Sequence, residues 1–520
     1  MLFNSYPFIF GFLPLALVLT YAAGSRRTPT LAKLTLALLS LAFYAYWRPI
    51  YLWLLLFSIA FNFAVGDRIQ HAVATERNRS AMAWLTVGLI VDIGMLGWFK
   101  YANFFVDNVN AVAGTHWQLD HIILPLAISF YTFQKIAYLV DSARGEARPM
   151  SVLDFTLFAS FFPQLISGPI VHYKEVVPQL QGPLFGKLIW RNILVGLVIL
   201  AIGMFKKSVI ADTLSGYSDP LYALADSKQS IGFVAGWAAA LAYTFQLYFD
   251  FSGYSDMAIG LARMFGVKLP LNFHSPLRAA NIADYWRRWH MTLQRMLYGY
   301  IFQPLSLFLI RGTWRLELSG WSAFAISVAL PTFLTFIISG VWHGAGWTFV
   351  IWGVMHSVYV SSFEIWREHR ARLQGKLRKT KMKLPEPGLG RRILARVLTL
   401  LAIIFANVMF RAKTVVAAAA VWTGMVGLGR AAANVESLNW GLAASLVACA
   451  LIVALFPNTQ QIMSRFNPAY NWREWNGIAP PIFSWNWRPT TLGLMLSGAV
   501  LFFGVAFIER GQAVFLYFNF

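Results

Sequence analysis

The chain has 520 residues, 58% hydrophobic and 12% charged, against roughly 25% charged in a soluble globular domain. This composition excludes an array of soluble domains and describes a polytopic membrane protein. The net charge of +21 lies mostly in short connections between apolar runs, so it reads as positive-inside topology and attraction to anionic lipid, with no nucleic-acid partner expected.

The stretch MLFNSYPFIFGFLPLALVLTYAAG has no basic residue before Arg26. It reads as a retained first span over 7–23, not a secretory signal, with Arg26, Arg27 and Lys33 on the cytoplasmic side. About 20 predominantly apolar residues cross a bilayer. Further spans are predicted over 34–47, 49–65, 81–99, 121–140, 187–205, 231–249, 321–339, 347–363, 393–410, 440–456 and 491–508. Segment 152–171, ending in FFPQLISGPI, carries two prolines and a glycine and reads as re-entrant, with a kinked span as the alternative. The expected fold class is all-α: a polytopic integral membrane helix bundle with re-entrant and interfacial helices. No internal repeat of fixed period is present, and the single cysteine, Cys449, excludes an intrachain disulfide and a thiolate metal cluster.

Tyr243 to Gly266 reads YTFQLYFDFSGYSDMAIGLARMFG. Gln246, Asp250, Ser252, Ser255 and Asp256 are too many polar groups for a lipid-facing helix, and Phe-Ser-Gly at 251–253 suggests a break. Two carboxylates at this depth must be paired, hydrated or protonated. Asp250 and Asp256 are candidates for meeting substrate or orienting arginines, with structural pairing the plainer reading and no metal-ligand spacing around them.

Asp284 to Leu297, DYWRRWHMTLQRML, is predicted as one basic amphipathic helix. Trp286, His290, Leu293 and Leu297 share a face, while Arg287, at its boundary, and Arg288 are available to phosphate or anionic lipid. His290 is either a packed histidine or a site residue.

From Trp321 to Phe363 there is no Asp, Glu, Lys or Arg. This is the length of two crossings, with Gly340, Gly344 and Gly346 near the turn. Within SGVWHGAGW, His343 therefore lies in the outer half of the membrane, either as a core histidine or as a buried base. Trp342 either walls a cavity or fills space. His356 has a structural reading, about 20 Å from His343 along one helix and near its opposite face. The block 364–392 reads as a solvated cytoplasmic loop, and Trp472, Trp475, Trp485 and Trp487 as an interfacial belt.

The stretches YTFQLYFDFSGYSDMAIGLA, LNFHSPLRAANIADYWRRWHMTL, SGVWHGAGWTFVIWGVMHS and ANVMFRA, with the earlier GWFKYANFF and PLAISFYTFQKIAYLVD, resemble the membrane-bound O-acyltransferase family, in particular its alginate O-acetyltransferase-like bacterial branch. The resemblance covers most of residues 1–412, read as the catalytic core, and is faint over 413–520. It implies the family's helix bundle with funnels from opposite membrane faces. It assigns His343 to the catalytic position and His290 to its companion. One departure stands after RRWH, where Gln294, Tyr298 and Gly299 replace the branch's small residue and Arg-Asp pair.

The function so implied is acetyl transfer from cytoplasmic acetyl-CoA, with no bound cofactor, toward an extracytoplasmic polysaccharide of alginate or cellulose type, through a periplasmic acetyltransferase partner, in the bacterial inner membrane. Arg287 and Arg288 would hold coenzyme A phosphates. The alternatives are D-alanyl transfer, peptidoglycan O-acyl transfer, and a non-enzymatic transporter of the acyl donor.

Overall fold

The computed structural model describes residues 1–25, 29–379, 388–430 and 438–508. Arg26, Arg27 and part of the basic block 364–392 lie outside the described residues. Among those described, the regular secondary structure is helical. The amino-terminal half holds α1 (Leu13–Gly24), α2 (Pro29–Ala45), α3 (Ile50–Ala74), α4 (Asn78–Ala113), α5 (Ile128–Ala143), α6 (Val152–Ser160), α7 (Phe162–Leu165), α8 (Tyr173–Leu180), α9 (Trp190–Met204), α10 (Asp212–Asp226) and α11 (Phe233–Met264). Then follow α12 (Ile282–Arg288), α13 (Met291–Leu297), α14 (Gln303–Arg315), α15 (Gly320–Phe324), α16 (Leu330–His343), α17 (Trp347–Lys379) and α18 (Leu389–Arg411). The described residues close with α19 (Val415–Met425), α20 (Trp440–Leu455), α21 (Thr459–Ile462), α22 (Trp472–Trp475) and α23 (Thr491–Ala506).

The predicted apolar runs fall on helices except over 121–127, where the chain is irregular and α5 begins only at Ile128. Among the described residues, six helical stretches are both long and apolar enough to cross a membrane: 7–24, 50–74, 78–113, 190–226, 320–343 and 389–411. Others are shorter, such as α2 with 17 residues and α20 and α23 with 16 each. Large apolar side chains stand on the outside, among them Trp53, Ile90 and Leu492, as a lipid-facing surface requires.

The centre is α11. Every residue from Gln246 to Met264 is buried, which explains why this segment is apolar or neatly paired all round. It packs along α9 and against α10, α18, α19 and α20, while α23 covers α9. The break expected at Phe251–Gly253 does not occur, and α11 is continuous. Gly253 serves close packing instead: a Cβ there would sit 2.8 Å from the Gly203 carbonyl oxygen, and one on Gly203 would sit 2.7 Å from that of Gly253. Gly203→Leu should therefore push α9 from α11 and lower stability by about 1–3 kcal/mol, read as a lower melting temperature in detergent. An unchanged melting temperature would mean the two helices separate freely.

Segment 152–171 is broken, as both the re-entrant and the kinked reading require. The chain breaks at Phe161 and again at Ile166, and stays buried from Leu157 to Val171. The freed carbonyl of Phe158 accepts from Gln134 Nε2 at 3.1 Å and Gln164 Nε2 at 2.7 Å, which is how irregular backbone survives inside protein.

Two further expectations change. The basic segment after Phe363 does not start as a loop, because α17 runs on to Lys379 with Arg372 bonded to Glu368 one turn earlier at 2.6 Å. The four tryptophans near the C-terminus do not form one belt. Trp472 and Trp487 are buried, Trp487 donating to Ser497 Oγ at 2.9 Å, while Trp485 faces outward.

Candidate functional site

Helices α16 and α17 form the predicted hairpin. Gly340 and Gly353 allow it to close, since a Cβ on Gly340 would lie 2.3 Å from the Phe349 carbonyl oxygen and one on Gly353 2.5 Å from that of Phe336. His343 is the last residue of α16, at the end of the hairpin opposite the basic turns of α17, and is 2% exposed. Its ring packs edge-on against Trp342 (4.9 Å between centroids), Trp352 (5.0 Å) and Phe410 (5.1 Å). Phe410 comes from the ANVMFRA stretch of α18, whose Asn407 donates to Thr244 Oγ1 on α11 at 3.2 Å.

His290 reaches this cluster from the other side, but not on the continuous helix predicted for 284–297. That segment divides into α12 and α13, with His290 between them at φ 44°, ψ 52°. A left-handed conformation in a non-glycine residue costs on the order of 1–3 kcal/mol, so its surroundings must impose it. Asn272 does so. Its backbone carbonyl accepts from Met291 N at 3.0 Å, and its Oδ1 accepts from Thr292 Oγ1 at 2.9 Å. His290 Nδ1 lies 3.1 Å from the same Oδ1. An amide oxygen accepts, so Nδ1 carries the proton and Nε2 is the basic nitrogen. The His290 ring is 6.2 Å from that of Trp342 and 4.7 Å from that of Phe251 on α11. Trp342 thus touches both imidazoles and is stacked on Phe133 of α5 at 5.4 Å.

His356 is nearer to His343 than a single helix implied. The chain folds back at Gly344–Gly346, and Trp352 touches both rings, at 5.0 Å from His343 and 4.6 Å from His356. His356 Nδ1 accepts from Trp286 Nε1 at 3.2 Å, so its tautomer is set by a packing partner. Trp286, whose indole N–H is thereby used, lines a cavity of about 460 Å³ bounded also by Gln294, Tyr298, Thr332 and Ser339. Ser339 is one helical turn before His343. The far wall of the cavity carries Glu364 and Arg367, an ion pair on the basic half of α17.

The remaining sequence candidates have other partners. Asp284 holds Arg288 through Nε at 2.9 Å and Nη2 at 2.8 Å, while Arg287 is 3.3 Å from the same carboxylate and largely exposed. Asp250 is paired with Lys207 at 2.9 Å, and Lys207 also bonds Asp212 at 2.7 Å. Asp256 bonds Lys206 at 2.7 Å and accepts from Thr459 at 2.6 Å and Gln460 at 2.8 Å. These are the structural pairings expected of carboxylates at this depth. In the connection after α11, outside the spanning helices, burial lowers the His274 pKa to about 4, against the effect of its 2.8 Å bond to the Ile478 carbonyl.

Asn272, Trp352 and Phe410 escaped the reading of the sequence. The first two stand inside LNFHSPLR and GWTFVIWG, stretches already singled out, but aromatic and amide residues carry no signal of role until a fold juxtaposes them.

The family model for "MBOAT, membrane-bound O-acyltransferase family" matches residues 140–382, which include both histidines. The chain is 42% identical over 454 residues to a peptidoglycan O-acetyltransferase of Helicobacter pylori, covering 82% of this chain and 80% of that one. It is 39% identical over 366 residues to a probable alginate O-acetylase of Azotobacter vinelandii, covering 69% and 68%. A teichoic acid D-alanyltransferase of Bacillus subtilis is 28% identical over 261 residues, covering 49% and 63%. With its two imidazoles gathered around Trp342 in a multi-pass helical membrane protein, the chain belongs to the membrane-bound O-acyltransferase family and is an O-acyltransferase.

Proposed function

We propose that this enzyme transfers an acetyl group from acetyl-CoA, supplied at the basic, cytoplasmic face, to a hydroxyl of an extracytoplasmic glycan, and that it resides in the bacterial inner membrane. The observation that carries the reading is the position of His343, buried at the hairpin end remote from the basic turns, one turn beyond a cavity whose other wall bears Arg367. A thioester arm entering that cavity approaches the imidazole from one side, and a glycan hydroxyl approaches from the other.

In the reaction, the neutral His343 ring accepts the hydroxyl proton as the oxygen attacks the thioester carbonyl carbon. The tetrahedral intermediate collapses with cleavage of the carbon–sulfur bond, and the departing thiolate takes the proton back from the imidazolium. His290, with Nε2 as its basic nitrogen, positions the donor or assists that proton return. Trp342 packs on both rings, and Trp286 shapes the donor cavity. Arg287, the more exposed of its pair, and Arg288 meet coenzyme A phosphates. Asp250 and Asp256 act on substrate only indirectly, by keeping α11 charged pairs in register. A periplasmic acetyltransferase partner receives or directs the acetyl group on the outer side.

The acceptor divides two readings. An alginate- or cellulose-like polymer is the first, supported by the alginate O-acetylase relatives. Peptidoglycan is the second, favoured by the longer match to the Helicobacter pylori protein, 454 residues against 366. Chromatography of base-released acyl groups from purified wall and from exported polymer separates them, and D-alanine in place of acetate would overturn both.

The donor route has its own test. Ser339→Trp fills the inner end of the cavity beside Trp286. The KM for acetyl-CoA is expected to rise on the order of tenfold or more, with the melting temperature held. An unchanged KM would move the donor elsewhere.

A further inference from the structure

The last turn of a helix leaves carbonyl oxygens without intrahelical partners. At the end of α16 those carbonyls belong to Val341, Trp342 and His343, and the next residue, Gly344, leaves the helix in an extended conformation at φ −169°. The groups that meet them come from two consecutive residues of another helix, α4. Tyr101 Oη donates to the Val341 carbonyl at 2.7 Å. Lys100 Nζ donates to the Trp342 carbonyl, lies 3.4 Å from the His343 carbonyl, and lies 3.4 Å from Ser129 Oγ at the start of α5. The ammonium also stands 5.6 Å from the centre of the Trp342 ring.

An ammonium has three N–H donors and no acceptor. Here three acceptors surround it, so its donors are all engaged, and its charge sits at the negative end of the α16 dipole. The placement fits a clamp. It fixes the backbone of the residue that carries the imidazole, and through Ser129 it ties that residue to α5, whose Phe130 and Phe133 rings pack on Trp342 at 5.5 and 5.4 Å.

We infer that Lys100 and Tyr101 are positioning residues for His343, holding the end of α16 by its last three carbonyls from a neighbouring helix. The inference rests on His343 being the base of the reaction. A misplacement of about 1 Å at a catalytic group costs on the order of 100-fold in rate, so the clamp acts on kcat and leaves donor binding alone.

The test compares the full-length wild type with Lys100→Met, Lys100→Arg and Tyr101→Phe in detergent. Four quantities are read: kcat and KM for acetyl-CoA turnover, the melting temperature, and the rate of diethylpyrocarbonate labelling of His343 by peptide mass spectrometry. Lys100→Met is expected to lower kcat about 10- to 100-fold at unchanged KM and to label His343 several-fold faster, with Lys100→Arg restoring part of both. Wild-type kcat and labelling in Lys100→Met would overturn the inference, as would a loss confined to KM. If Lys100→Met does not fold, Tyr101→Phe decides, since it removes one hydrogen bond: wild-type kcat and labelling there also overturn it. If the wild type itself turns over no acetyl-CoA, the functional reading fails, and the labelling rates alone still decide whether the clamp holds His343.

Discussion

His343→Ala is expected to reduce acetyl ester on the exported glycan by about 100- to 10,000-fold, the range for removing a general base or acid. The effect should exceed that of any other single substitution because the ring is the only proposed group poised to exchange a proton with both substrates. The fold should survive. His343 ends a helix whose last turn is held from α4, and the lost packing against Trp342, Trp352 and Phe410 is one part of a larger aromatic cluster. A cavity of that size costs roughly 1–4 kcal/mol, so membrane expression and the melting temperature are measured alongside. His343→Gln keeps volume and polarity without a base and should be as inactive as alanine. Acetylation retained within twofold in either variant, at normal expression, would remove His343 from the chemistry.

His290→Asn is expected to produce the second-largest loss, on the order of 10- to 100-fold in kcat/KM, with weaker thioester binding as well as slower turnover. Asparagine is chosen because it tolerates the left-handed backbone at this position, where alanine would add strain to the lost imidazole. Asn272→Ala is the companion variant. It removes the amide oxygen that orients Nδ1 of His290 and accepts from Thr292, so it should reproduce most of the His290 defect while leaving the imidazole in place. Steady-state kinetics and binding of a nonhydrolysable acetyl-CoA analogue read both variants. Unchanged kinetics in His290→Asn would make this a packing histidine.

The fold was legible in the sequence wherever apolar length alone decides. The spans from 7–23 to 491–508 lie on helices, apart from the irregular start of 121–140, and the uncharged run 321–363 folds as the hairpin that its glycines and length implied. Legibility failed where a tertiary partner overrides local pattern. The 3.6-residue periodicity of 284–297 favours one helix, yet Asn272, twelve residues upstream of Asp284, pins the chain at His290 and splits it. Phe-Ser-Gly at 251–253 looks like a break, but the glycine is there for the backbone of α9. The hairpin turn brings His356 to Trp352 and so to His343, which counting along one helix axis could not anticipate.

The site was half legible. His343, His290 and Trp342 meet in one aromatic cluster that Trp286 joins through Trp352, whereas Arg287, Arg288, Asp250 and Asp256 are engaged with charged partners of their own. Lys100 was missed because it falls just beyond the predicted span 81–99, whereas α4 runs on to Ala113 and carries it to the end of α16.

The central claim is that the His343 imidazole meets a thioester arriving through the cavity beside Trp286 and a hydroxyl arriving from the opposite face. A structure of the full-length enzyme with a nonhydrolysable acetyl-CoA analogue tests it most directly. The account predicts the pantetheine arm along Trp286 and Ser339, with the acyl carbonyl carbon close enough to His343 for a bridging hydroxyl to lie about 3–3.5 Å from that carbon. An acyl group seated away from His343, with no passage joining that imidazole to either face, would contradict it.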